Sequence, residues 1–281
     1  MQKIMDKRIF ESCIQIIDDG MIAQHALSTF DIKANGSLCS KFEKEIEENI
    51  RCFLCEKYPD IKFIGEESCT SETKITDELT WYMDPIDGTI SFKNNIGLYG
   101  STLTLADGIN PLASMVYFPV YKDRYISYLG NGAFKNNQKI SIANRGEENF
   151  SVICHSDLYT FELSQRTEWL YVIQQMDSVP RNFIPRTYTD VFGYSLVADG
   201  SAVAKFDAAC AIWDLLPVFL LIREAGGSTV IYMNDNPTCE NFCSMLSGEK
   251  SVVKKIHSEL KAKISIKDGT CFFNEIPNVQ F

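Results

Sequence analysis

Apolar residues at Ile9, Cys13, Ile14, Ile17, Met21, Ile22 and Ala26 recur at helical spacing and predict a helix over residues 9–27. Residues 42–53 repeat the pattern with Ile46 and Ile50 inward, and Asn35-Gly36-Ser37 provides a turn between the two helices. The rhythm then shortens. Runs of aromatic and β-compatible residues punctuated by Gly and Asn predict strands at 61–65, 81–83, 100–106, 111–118 and 124–128. Residues 131–138 read as a turn-bearing connection, and 139–142 as a further short strand.

Further along, the expected order is a strand at 151–154, a helix within 162–175, extended chain at 182–184, a buried helix at 191–198 and a strand at 203–206. A helix over 213–225 stops at Gly226-Gly227, followed by a strand at 228–232, a strand at 243–247 and a helix at 250–263. Helices and a meandering sheet, then alternating strands and helices, predict layered α+β and α/β halves meeting at a cleft. The boundary is expected near residue 145. That gives an N-terminal portion over 1–145, a C-terminal portion over 146–262, and a weakly patterned tail over 263–281 that Phe272 and Phe273 could dock.

At 281 residues and 45% hydrophobic content the chain can bury a sizeable core. Its formal charge of -10 argues against nonspecific attraction to nucleic acid. An anionic ligand would instead be held through divalent cations, which reverse the local field. The N-terminus lacks the apolar core of a secretion signal, and the longest apolar run, 215–222, is far too short to span a membrane, so a soluble cytoplasmic protein is expected. Ten scattered cysteines make a poor disulfide framework, and Cys52 and Cys55 lie in a helical pattern as ordinary thiols. His25, His155 and His257 lack metal-ligand spacing and no G-x-S-x-G occurs, which leaves zinc and serine hydrolase readings without support.

The chemistry concentrates in Trp81-Tyr82-Met83-Asp84-Pro85-Ile86-Asp87-Gly88-Thr89-Ile90-Ser91-Phe92. The strand should run out at Asp84, because Pro85 has no N–H to offer a ladder. Asp84 and Asp87 can converge on one cation across that stiff turn, with an intervening backbone carbonyl as a further hard ligand, which favours magnesium or manganese over zinc. Gly88 allows close backbone approach, and a helix starting near Ser91 would turn unpaired N–H groups towards a phosphate. An Asx-rich surface turn is the competing reading. Two further acids follow apolar runs, Glu66 in Gly65-Glu66-Glu67-Ser68 and Asp214 after Ile212-Trp213, and all four carboxylates would have to meet at the cleft.

These segments, with Glu224-Ala225-Gly226-Gly227, stand in the order of three signatures of the inositol monophosphatase family, which the chain resembles over about residues 8–260. Arg186 to Tyr194, Leu196-Val197-Ala198 and Asp207-Ala208 look more like the histidinol-phosphatase branch than the animal inositol enzymes. The resemblance implies an αβαβα layered fold assembled as a homodimer. It further implies one magnesium held by Glu66, Asp84 and the Ile86 carbonyl, a second held by Asp84, Asp87 and Asp214, and a weaker third ion near Glu66. Thr89 would position water, and the backbone around Gly88 and Thr89 would grip phosphate. Where the family offers Thr-x-x-Asp near the second helix, this chain has Ser40-Lys41-Phe42-Glu43, one methylene longer, and Asn35-Gly36-Ser37 replaces a common Asp-Gly-Ser.

The expected reaction is therefore hydrolysis of a small phosphate monoester, with Glu66, Thr89 and Glu43 helping to deprotonate water and Arg186, Asp190 and Asp207 facing the rest of the substrate. Salt bridges or helix caps are the alternative use of those last three. Two rival readings are a catalytically weak accessory of protein or RNA machinery, and a bisphosphate nucleotidase or fructose bisphosphatase with a second anion pocket.

Overall fold

In the second strand of the larger sheet, Trp81 and Met83 face one core while Tyr82 between them faces another, as the two-residue side-chain period of a strand requires. A sheet buried on both faces must be covered by helices on both faces. The computed structural model describes residues 8–24, 29–33, 38–142, 151–156, 183–188, 190–233, 237–264 and 274–275.

Helices α1 (Arg8–Gln24) and α2 (Lys41–Lys57) flank an antiparallel hairpin of β1 (Phe30–Ile32) and β2 (Leu38–Ser40), which hydrophobic patterning did not predict. A seven-stranded sheet follows in chain order: β3 (Lys62–Gly65), β4 (Leu79–Asp87), then after the short α3 (Thr89–Lys93) β5 (Gly100–Asp107), β6 (Asn110–Phe118), β7 (Asp123–Tyr128), β8 (Gly132–Lys135) and β9 (Gln138–Ile140). Only β3 and β4 pair in parallel. The remaining elements are β10 (Ser151–His155), β11 (Phe183–Thr187), α4 (Asp190–Ala198), β12 (Ala204–Cys210), α5 (Ile212–Glu224), β13 (Ser228–Met233), β14 (Cys243–Gly248), α6 (Lys250–Ile264) and β15 (Asn274–Glu275). Their strands form a mixed sheet in the order β11-β10-β12-β14-β13-β15.

Three apolar cores separate five layers. Ile46, Ile50 and Phe10 of α1 and α2 pack on Trp81, Met83, Leu103 and Met115. On the other face, Tyr82, Val116 and Phe118 meet Tyr194 of α4 and Trp213 and Leu216 of α5, which in turn cover Met245 of the second sheet. Val252, Val253 and Ile256 of α6 close the far side over Phe206 and Leu246. The result is the expected αβαβα sandwich, with α4 and α5 as a middle layer belonging to both sheets.

Three local expectations need correction. Pro85 does not end its strand: the ladder breaks between Asp84, paired with Thr102, and Asp87, paired with Gly100, and then resumes. A bulge accommodates the missing N–H there, and Ser101 Oγ donates to the Pro85 carbonyl at 2.6 Å. Helix α3 begins at Thr89 rather than near Ser91, with Gly88 as its left-handed cap at φ 84°. Residues 131–138 hold strand β8 and a tight turn, in which Asn136 and Asn137 take positive φ. His25, the 35–37 turn, the 162–175 helix, the boundary at 145, and Phe272 and Phe273 lie outside the described residues. Among the described residues, no helix is long and apolar enough to cross a membrane.

Candidate active site

Parallel pairing of β3 with β4 sets Gly65 opposite Met83, so the residues that follow, Glu66 and Asp84, emerge side by side; the Glu66 N–H donates to the Met83 carbonyl at 3.0 Å. The turn at Glu66-Glu67 is fastened from below by Glu47 of α2, whose carboxylate accepts the Glu67 N–H at 2.8 Å. A Cβ at position 65 would run into that carboxylate, which accounts for Gly65.

Asp214 arrives from the middle layer. Pro217 sits inside α5, and its missing N–H leaves the carbonyl of Trp213, four residues back, without its helical donor. Thr102 Oγ1 donates to that carbonyl at 3.1 Å and also accepts the Asp84 N–H at 3.2 Å. A single threonine thus ties the backbone of Asp84 to the turn that carries Asp214. Asp87 is fixed from a third direction, its Oδ2 accepting the N–H of Val191 at the start of α4 at 2.9 Å.

The outcome is a triad of Asp84, Asp87 and Asp214 whose ligand atoms all lie within 4.8 Å of one another. Burial, followed by the neighbouring carboxylates, pushes all three well above the usual carboxylate range: Glu66 and Asp214 act on Asp84, Asp190 and Asp214 on Asp87, Glu66 and Asp190 on Asp214. Asp214 Oδ1 is buried without a hydrogen-bond partner among the described residues. Converging carboxylates with an orphaned oxygen and hard-oxygen chemistry fit a divalent cation such as magnesium.

Glu43, fully buried, is the third residue of α2 and forms a capping box with Ser40, whose hydroxyl accepts the Glu43 N–H while the Ser40 N–H donates to Glu43 Oε2. Its other oxygen accepts from Thr89 Oγ1 at 2.8 Å, and that hydroxyl also lies 3.2 Å from the Ile86 carbonyl. Burial pushes the Glu43 carboxyl up to about 7, against the hydrogen bonds from Ser40 and Thr89 that pull it down. Gly88 lies against the Leu98 carbonyl and Asp190 Oδ2, so a side chain there would crowd both.

The three expected substrate residues fall in different settings. Asp190 heads α4 at positive φ, beside Gly88 and in the field of Asp87 and Asp214. Asp207 is buried in an ion pair with Lys205 at 2.9 Å. Arg186 is exposed on β11, its guanidinium donating to the Pro185 carbonyl at 2.9 Å.

Hydrophobic patterning missed Lys33, just after β1. Its ammonium donates to Glu66 Oε1 at 2.7 Å and to Glu67 Oε1 at 2.8 Å. Burial works against that charge, but Glu66 and Glu67 hold the ammonium protonated above its usual range. No sequence signal marked it, since a lysine after a short polar strand reads as solvated. Glu47 was hidden in the same way among the charges of α2.

The chain matches the model of the inositol monophosphatase family over residues 8–265. It is 32% identical over 227 residues to inositol monophosphatase 2 of Saccharomyces cerevisiae, covering 75% of this chain and 76% of that one. It is 28% identical over 207 residues to the histidinol-phosphatase of Chlorobaculum parvum, covering 71% and 74%. Among solved structures, a Staphylococcal inositol monophosphatase-1 superimposes with a TM-score of 0.78 at 20% identity, over 93% of this chain and 95% of the other.

Proposed function

Since this chain belongs to the inositol monophosphatase family, we propose that it is a magnesium-dependent phosphatase of small phosphate monoesters, working at the site of Asp84, Asp87 and Asp214. The observation that carries this reading is the buried carboxylate triad with its orphaned Asp214 oxygen, an arrangement costly to keep without a cation. Glu66, Asp84 and the Ile86 carbonyl would hold one ion, Asp84, Asp87 and Asp214 a second, and Glu66 would contribute to a weaker third, with manganese as an acceptable substitute. When bound, the cations supply positive charge to the phosphoryl oxygens and lower the pKa of water.

The chain's own residues do the rest. Thr89 donates its proton to Glu43, which leaves the Thr89 oxygen free to accept a hydrogen bond from the attacking water and fixes where that water lies. Glu43, held close to neutral pKa, takes up the proton as a general base through that hydroxyl. The N–H groups of Gly88 and Thr89 receive phosphate oxygens. Asp190 faces the substrate's hydroxyl or amine groups, and Arg186 lies at the periphery. The substrate class spans inositol phosphates and histidinol phosphate, the two activities named in its relatives. The working unit is a homodimer in the cytoplasm.

Phosphate release with and without magnesium from inositol 1-phosphate, histidinol phosphate, fructose 1,6-bisphosphate and 3′-phosphoadenosine 5′-phosphate tests the reading, with D84N as control. Selective magnesium-dependent release from either monoester is expected. Folded protein that releases none would overturn it.

A further inference from the structure

Cys69 and Cys239 lie far apart in sequence but close enough in the fold for each to shift the other's ionisation. Both reach the same turn: Cys239 Sγ donates to the Thr73 carbonyl at 3.9 Å and Cys69 Sγ to the Thr70 carbonyl at 3.7 Å, while the Thr73 N–H closes the turn on Thr70 at 2.9 Å. Cys69 is partly exposed and Cys239 is buried. Each is fastened to a carrier of the active site. Cys69 follows Glu66 by three residues in the loop between β3 and β4, and the Cys239 carbonyl accepts the N–H of Ile212 at 2.8 Å, at the start of the helix that bears Asp214.

We propose that Cys69 and Cys239 form a peroxide-responsive thiol pair whose disulfide clamps the Glu66 loop to the base of the Asp214 helix. The thiol of Cys69 falls to about 7, chiefly through the neighbouring Cys239 thiol and against its own burial, so a substantial share is thiolate near neutral pH. The other described thiols with shifted ionisation move upwards: burial raises Cys13 and Cys154, and the Glu48 carboxylate raises Cys52.

The chemistry balances in two steps. The Cys69 thiolate attacks a peroxide oxygen, breaking the O–O bond to give a sulfenic acid and hydroxide. The Cys239 sulfur then attacks the Cys69 sulfur; the S–S bond forms, the S–O bond breaks, and the departing hydroxide takes the Cys239 proton as water. Two electrons pass from the thiol pair to peroxide, which leaves as two waters. The partly exposed partner meets the oxidant and the buried partner resolves it.

The test treats the reduced, full-length protein with one equivalent of hydrogen peroxide, quenches in acid and maps linked peptides by mass spectrometry. A dithiothreitol-reversible Cys69–Cys239 link is expected, with at least tenfold slower amide exchange over residues 66–78 in the oxidised protein. In C239S, a dimedone-reactive sulfenic acid should persist at Cys69, and C69S should form no link; circular dichroism checks that both variants fold. Linkage of other cysteines instead, or a 69–239 link that leaves amide exchange over 66–78 unchanged, would overturn the proposal. Neither readout depends on phosphatase activity, so it stands or falls apart from the function proposed above.

Discussion

Two buried acidic regions flank the middle helical layer of this fold, and they are treated in opposite ways. Asp207 is given its own cation. Lys205, fully buried on the same strand, pairs with it at 2.9 Å, donates to the Tyr188 carbonyl at 3.0 Å and lies over the Tyr194 ring. Asp84 and Asp87 each accept one backbone N–H, but among the described residues no ammonium or guanidinium lies as close to Asp84, Asp87 or Asp214, and Asp214 Oδ1 has no hydrogen-bond partner. The first arrangement is an ion pair whose charge is balanced on folding, although Asp207 Oδ1, like Asp214 Oδ1, has no well-aligned hydrogen bond. The second holds negative charge open for something that arrives later, which separates a structural acid from a ligand-binding one more sharply than burial alone.

The strongest way to break this comparison is to neutralise the open site. Asp84→Asn should cut magnesium-dependent turnover by about a thousandfold, since it weakens a shared ligand. The metal-free melting temperature should hold or rise, because repulsion is relieved while the amide oxygen still accepts the Ile86 N–H. Near-parental turnover would mean that the acids do not hold the metal.

Lys205→Met probes the closed site. It strands Asp207 and the Tyr188 carbonyl, and urea unfolding should show a loss of about 3–5 kcal/mol, the range for breaking a buried pair. A loss below about 1 kcal/mol would erase the distinction between the two regions.

Glu43 stands between the cases, buried without a cation but satisfied by neutral donors. Glu43→Gln keeps an acceptor for Thr89 but cannot take a proton, so kcat should fall about a hundredfold with KM little changed. Parental turnover should rise as pH increases through about 7, as Glu43 ionises, and Glu43→Gln should lose that limb of the profile. Glu43→Asp should keep or improve turnover; total loss in a folded protein would show that the longer side chain is required.

The smallest effect is a matter of linkage. The triad's folded pKa values are raised above the unfolded carboxylate range, so the folded chain binds more protons than the unfolded one. The triad's contribution to metal-free stability is therefore fully present below the unfolded carboxylate pKa and is lost as pH rises through the raised values. Magnesium should add a few degrees to the melting temperature at pH 8 and less at pH 6. Equal shifts at both would place the cation elsewhere.

Much of this was legible beforehand. The helical periods of α1, α2 and α5 and the short strands around β4 fall where apolar spacing put them, to within a turn at the ends. The acids at 66, 84, 87 and 214 could be named because each follows an apolar run at the end of an element. Pro85 was misjudged because a bulge let the ladder resume beyond it, an option that depends on the neighbouring strand. The hairpin of β1 and β2 was missed because three-residue strands carry too little alternation to stand out.

What the sequence determined by itself is therefore local: element type, set by the period of apolar residues, and the inventory of hard oxygen ligands, set by composition at strand and helix ends. Only the tertiary structure decided which strands run in parallel, bringing Glu66 beside Asp84, and which hydroxyl replaces the donor lost to Pro217, tying Asp84 to Asp214. It also decided that Lys33 reaches Glu66 while Lys205 is buried on Asp207. Apart from Lys205 and Asp207, which are neighbours on one face of a strand, those pairings join residues 18 to 111 positions apart, and no local period encodes them. They follow from burying several apolar faces at once, which leaves few registers in which the buried polar groups can also find their partners.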